Sequence, residues 1–256
     1  MSRGDRTPGL GVLDWGIGGM GFVRLFRQQA PGVPILYVSD TGATPYGQMT
    51  RGALAARVAR AIDGMYAEGA VGVVVACNAA STVIHALAPQ RIPVLGIIEY
   101  AKGLVPSSLR GVIAVLGGTR TIRSGLYRRA LAGPGRRVVS RIAQPLSAHV
   151  EAGTADSSEC AAALDRILGG LRRADAMVLA CTHYPAIAPA IRARAPAAVL
   201  LDPADALVSR VLRATWLPRS RAPDRWTTTG DPRAMREATR RAWGFDPGPC
   251  ARWTMP

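Results

Sequence analysis

Short apolar runs and helix-period stretches alternate along the chain. Leu10–Leu13 is apolar throughout and predicts a buried strand, followed by a glycine-rich turn at Gly16–Gly19 and a helix over Phe22–Gln29. Ile35–Val38 predicts a second strand and Arg51–Tyr66 a helix. Val71–Ala76 reads VGVVVA, a short β-branched run bounded by glycine, which predicts another buried strand. A helix over Ala79–Leu87 and a strand over Val94–Ile97 follow.

The pattern then restarts. Val112–Leu116 predicts a strand with a Gly-Gly-Thr turn behind it, then a helix over Arg123–Leu131 and a short strand over Val138–Ser140. A helix over Cys160–Leu171 precedes a strand, Ala176–Leu179, that runs into Cys181. Ala186–Ala193 predicts a helix, Val199–Leu201 a strand, and the stretch Trp226–Gly244 one more strand-like piece and a helix packing back on the first half. Strands alternating with helices predict an α/β fold, with mainly parallel sheets flanked by helices. Two such series predict two similar lobes, residues 1–98 plus 208–256 with Cys77 and residues 99–207 with Cys181. No linker rich in Pro, Gly and Ser separates them, so a tight junction is expected.

Composition narrows the class. Hydrophobic residues make up 48% and charged residues 19% of 256, which suits a globular protein. No apolar run has the length of a membrane span, and the opening MSRGDRTPGLGVLDWG has no apolar core of signal-peptide length. A cytoplasmic location without a membrane partner is the expectation. The formal charge is +15, yet Lys102 is the single lysine among 32 basic residues, and the arginines are scattered along helix surfaces. A solvated basic surface is therefore expected in place of a specific nucleic-acid site, with diffuse attraction to polyanions at low salt. The sequence leaves a homodimer open.

Four cysteines occur, Cys77, Cys160, Cys181 and Cys250, and none forms a CxxC pair. That argues against a metal ribbon or a redox motif, and no metal is expected. Two of the four share a context. VVVACNAAS (73–81) and MVLACTHYP (177–185) each run from apolar strand to Ala-Cys to a polar residue. Each cysteine falls where a strand ends and a helix begins, the place where open parallel sheets bind ligands. Helix N–H groups there favour anions and are expected to lower a thiol pKa. Taken singly, each cysteine is more often a small buried hydrophobe; the repeated context favours a pair. Facing thiols would invert a stereocentre, one removing an α-proton and the other supplying a proton to the opposite face. Cys160 and Cys250 lack such context.

These motifs resemble those of glutamate racemases, in the aspartate/glutamate racemase superfamily, which make D-glutamate for bacterial cell walls. GVLDWGIGG resembles the family's Asp-Ser-Gly-x-Gly-Gly turn and SDTGATPYG its Gly-Asp-Thr…Pro-Tyr-Gly loop. ACNAAS resembles Ala-Cys-Asn-Thr-Ala-Ser, and ACTHYP resembles Gly-Cys-Thr-His-Tyr-Pro. VLGIIE, GGTRTIRSGLY, PLSAHVEAG and TTTGDPRAMREATRRAWG follow in the family's order. The resemblance implies two pseudo-symmetric lobes with the active site between them and no cofactor. It makes Cys77 and Cys181 the proton carriers and Asp14 and His183 their helpers. Tyr46, Gly47, Asn78 and Thr182 fall at substrate-contacting positions, and Thr119, Thr121 and Glu151 at further cleft positions. Two residues depart from the pattern: Trp15 stands where the family has Ser, and Ala79 where it has Thr. Both positions contact the amino acid in the family.

By themselves these residues carry blander readings. Asp14 could be a helix N-cap, His183 a structural histidine, Pro45-Tyr46-Gly47 a turn, and Thr119 and Thr121 cap residues. His85 and His149 have no comparable company. The expected substrate is glutamate; the alternatives are aspartate or a less polar amino acid, which Trp15 and Ala79 motivate, and a non-catalytic binding relative. A pyridoxal-phosphate racemase would need a Schiff-base lysine, and Lys102 lacks a phosphate-binding context. Gly16, Gly18 and Gly19 fit the dinucleotide pattern GxGxxG poorly.

Overall fold

Ten strands form two wholly parallel sheets in the computed structural model, which describes residues 8–218 and 222–256. Residues 1–7, which open the stretch read for a signal peptide, and 219–221, within the expected first lobe, lie outside the described residues. The chain begins with β1 (Gly9–Asp14), α1 (Met20–Gln29), β2 (Ile35–Ser39), α2 (Arg51–Ala67), β3 (Ala70–Val75), α3 (Asn78–Ser81) and β4 (Val94–Gly96). It continues with β5 (Gly111–Gly117), α4 (Thr119–Ser124), α5 (Leu126–Leu131), β6 (Arg136–Ile142), α6 (Pro145–Ala152), α7 (Ser158–Leu168), β7 (Ala176–Ala180), α8 (Ala188–Arg194) and β8 (Val199–Leu201). The last elements are α9 (Pro203–Val211), β9 (Arg225–Thr228), α10 (Pro232–Trp243) and β10 (Cys250–Arg252).

The first sheet has the order β10-β9-β2-β1-β3-β4 and the second β6-β5-β7-β8. Within the first, β2-β1-β3-β4 repeats the order of the whole second sheet, so the two sheets are topologically equivalent. In each, the chain steps from a central strand to one side and returns on the other. The crevices between β1 and β3 and between β5 and β7 are therefore topological switch points, where neighbouring loops diverge at the carboxyl ends of strands and leave room for a ligand. β3 delivers Cys77 to the first crevice and β7 delivers Cys181 to the second.

Burial explains the strands. Val73, Val74 and Val75 are completely buried, as are Met177 and Val178 of β7. Each apolar side chain contributes roughly 1.5–3 kcal/mol by leaving water, and stiff β-branched residues suit a sheet covered on both faces. One continuous apolar core joins Val12 of β1, Ile17 of the turn after it and Phe26 of α1 to the second sheet's Ile113, Val115 and Leu179, which is the tight junction expected of a chain without a linker.

Several expected helices are shorter or broken. The stretch 79–87 folds as α3 and a 3-10 turn, Ile84–Ala86. Thr82-Val83-Ile84 is β-branched, and Thr82 Oγ1 donates to the Ala79 carbonyl at 2.7 Å, closing a local turn that competes with the helix. The expected helix over Arg123–Leu131 begins earlier and divides into α4 and α5 at Gly125, whose φ of +67° favours glycine. The helix expected over Ala186–Ala193 opens as a 3-10 turn, Tyr184–Ile187, before α8. α7 stops at Leu168, before Gly169-Gly170, and does not reach Leu171. β4 ends at Gly96, where a 3-10 helix over Ile97–Gly103 takes over. α6, α9 and β10 have no counterpart among the elements expected from the sequence. Among the described residues no helix is long and apolar enough to cross a membrane.

Candidate active site

Asp14 is the last residue of β1 and is fully buried. Its Oδ1 accepts the Trp15 N–H at 2.8 Å, and its Oδ2 accepts the Thr182 hydroxyl, from the other lobe, at 3.0 Å. Burial pushes its carboxyl above the usual range, while cationic His183 and hydrogen bonds from Cys77, Thr182 and Trp15 pull the other way.

Cys77 caps the start of α3 and is buried. The expected lowering of its pKa does not occur. Burial and the Asp14 charge push its thiol well above the usual value, and the Ala80 N–H opposes them only in part. α3 has a single turn and therefore a weak dipole, while desolvation acts at full strength. These effects favour the protonated thiol form of Cys77.

Cys181 has different company. His183 Nδ1 lies 3.6 Å from its sulfur, and His183 Nε2 lies 2.6 Å from Glu151 Oε1. Burial disfavours the imidazolium, but hydrogen bonds to Cys181 and Glu151, with the Glu151 charge, outweigh it and hold His183 well above its usual value. In that protonated state both ring nitrogens donate, Nδ1 to the sulfur and Nε2 to Glu151. Glu151 Oε1 also accepts the Ile17 N–H at 2.8 Å, a second hydrogen bond between the lobes.

The glycine turn makes this closeness feasible. A methyl group on Gly16 would overlap Glu151 Oε1, and one on Gly18 would overlap the Thr182 hydroxyl and crowd the His183 ring at 2.8 Å. These glycines serve close approach between lobes.

A cavity of about 660 Å³ holds both thiols. Asp14, Trp15, Tyr46, Gly47, Asn78, Ala79, Thr121, Glu151, Thr182 and His183 line it too. Thr119 is placed elsewhere: it lines an adjoining cavity, with its N–H donating to Gln144 Oε1 at 3.1 Å. Trp15 lines the cleft, and its Nε1 donates to the Ala43 carbonyl at 3.1 Å, tying the ring to the loop that carries Tyr46. Asn78 Oδ1 accepts the Tyr127 hydroxyl at 2.6 Å, while its buried Nδ2 has no partner. Cys160 is buried in α7, Cys250 lies on β10, His85 faces Glu99 at 3.7 Å, and His149 pairs with Thr154 at 2.9 Å; none lines the cavity.

Sequence reasoning missed several supports. The Tyr46 hydroxyl donates to Asp40 Oδ2 at 2.7 Å, and Arg57 Nη2 and Thr229 Oγ1 each donate to Asp40 Oδ1 at 2.7 Å. Arg120 donates to the carbonyls of Tyr46 and Met49, clasping the first lobe's loop from the second. Gln48, Gln144 and Ser147 add polar groups to the wall. The Gln-Pro pair at 144–145 was the available signal, since proline favours a first helical turn. Among the described residues no group of three or more His, Cys, Asp or Glu could hold a metal ion.

An α/β fold with two equivalent sheets and a cysteine at each switch point defines a class, and comparisons with known proteins agree with it. The family model described as Asp/Glu/Hydantoin racemase matches residues 11–211. The chain belongs to this family of racemases, which are isomerases. A Deinococcus radiodurans protein named glutamate racemase is 35% identical over 212 residues, 80% of this chain and 73% of the relative. Its namesake in Desulforudis audaxviator is 34% identical over 223 residues, 84% and 81% of the two chains. Among solved structures, glutamate racemase from Thermus thermophilus in complex with β-chloro-D-alanine superposes with a TM-score of 0.83 at 28% identity, over 96% of each chain.

Proposed function

We propose that this chain interconverts L- and D-glutamate without a cofactor, Cys77 and Cys181 exchanging the roles of acid and base. The single observation that carries the reading is that two sequence-equivalent thiols, each with its own charged helper, line one cavity between the lobes. Relatives named glutamate racemase support the substrate.

In one direction the Cys181 sulfur, as thiolate beside the His183 imidazolium, takes the α-proton. The electron pair left on Cα spreads into the carboxylate, and the Cys77 thiol delivers its proton to the opposite face. The enzyme then holds thiol at 181 and thiolate at 77, and the reverse reaction restores the first state. Asp14 assists Cys77, and Glu151 positions His183. The unpartnered Asn78 Nδ2 is a donor for the substrate carboxylate. Tyr46, Gly47, Thr121 and Thr182 complete the contacts, while Trp15 and Ala79 shape the wall. A cell-wall role in D-glutamate supply, a cytoplasmic location and a homodimer accompany this reading as expectations.

Incubating the purified chain with each enantiomer of glutamate, aspartate and alanine and resolving the products by chiral chromatography tests it. Glutamate turnover without added cofactor is expected. Turnover confined to another amino acid would move the substrate, and glutamate binding without turnover on any would favour a binding protein.

A further inference from the structure

A second cavity, of about 530 Å³, adjoins the catalytic cleft and shares Gly47, Gln48 and Arg120 with it. Arg51, Arg120, Arg123 and Arg129 all line it, and no acidic residue does. Arg51 opens α2 in the first lobe; the other three come from α4 and α5 in the second. None of the four is ion-paired with a carboxylate among the described residues, whereas eight other basic side chains are. Among the described residues Arg120 donates to the Tyr46 and Met49 carbonyls, and Arg129 Nη2 to the Ser124 carbonyl at 3.0 Å. Burial pulls the Arg120 guanidinium below its usual value, with no anion to offset it.

Four guanidinia around one concavity repel each other, and that repulsion is relieved by an anion carrying several charges. The planar forks of arginine match phosphate oxygens two at a time. α2 has no acidic residue in its first turn, so the positive end of its dipole adds to the field at the same wall. We infer that this arginine-lined cavity is a binding site for a multivalent phosphate anion, distinct from the amino-acid cleft and spanning both lobes. An anion seated there braces Arg51 of one lobe against Arg120, Arg123 and Arg129 of the other, beside the loop that carries Tyr46.

Calorimetric titration of pyrophosphate into the purified chain at about 0.15 M ionic strength tests this, because diffuse surface attraction is largely screened there. One saturable site per chain is expected. Arg123→Gln with Arg129→Gln should weaken it at least about tenfold, since each lost charge-assisted contact alone approaches that factor. Arg51→Gln should weaken it about threefold or more, because the site spans both lobes. Arg137→Gln with Arg166→Gln removes the same formal charge at exposed positions outside the cavity and should change binding by less than about twofold. Equal weakening in both double variants, or no saturable binding, would overturn the assignment and leave only the general attraction of a +15 chain. The measurement does not use turnover, so its failure is distinguishable from failure of the racemase reading.

Discussion

Glu151 Oε1 lies 2.6 Å from His183 Nε2 in the cleft wall, and through this link α6 sets the charge of the imidazole beside Cys181. Neither residue is near the other in sequence; the sheet edge and the α6 helix bring them together.

Replacing Glu151 by Gln removes the charge that holds His183 protonated. Racemisation should fall roughly 10- to 100-fold, most for the enantiomer whose α-proton Cys181 removes. The His183 titration, followed by NMR of its ring protons, should move toward lower pH. A fall in activity with an unmoved titration would show that Glu151 acts only through packing.

The same pair links pH to stability. In the folded chain His183 holds its proton above the ordinary value of 6.5. Its contribution is therefore fully present below about pH 6.5 and is lost as pH rises through the folded value. Denaturant unfolding of the parent should show this decline on the alkaline side, and Glu151→Gln should flatten it. An identical profile in both would contradict the linkage.

Asp14→Asn removes a charge that keeps the Cys77 thiol protonated. The midpoint for alkylation of Cys77 by iodoacetamide should shift to lower pH, while racemisation drops roughly 100-fold. Peptide mapping of the alkylated chain gives the midpoint directly. A midpoint that rises or stays fixed would remove Asp14 from the role of helper to Cys77.

Gly18→Ala places a methyl group against Thr182 and His183. It should destabilise the chain by about 1–3 kcal/mol and lower turnover by more than about tenfold, because the strand-end loops must separate. Gly32→Ala, with open space around its Cα, is the matched control and should do neither. Thermal unfolding and initial rates on both variants decide it.

The strands and both cysteines were legible because buried β-branched runs and the repeated Ala-Cys-polar context are local signals. Asp14 and His183 could be placed for the same reason, lying within three residues of a strand end. Asp40, Arg57, Tyr127 and Arg120 were not legible. Each acts through a partner 17 to 74 residues away, and only tertiary packing supplies that pairing. The break at Gly125 depends on a left-handed backbone that a lone glycine does not announce. α9 was readable in principle, since Asp202 caps a helix whose first residue is Pro203. β10 is a three-residue edge strand with half-buried and exposed positions, and carries no apolar signal.

Solvent exchange at Cα tests the central claim most directly. Cys77→Ser and Cys181→Ser should each nearly abolish racemisation in deuterium oxide while leaving the fold intact by circular dichroism. Each should retain α-proton exchange for one enantiomer of glutamate only, and the retained enantiomer should differ between the two. Full racemisation by both variants, or loss of exchange for the same enantiomer in both, would contradict it.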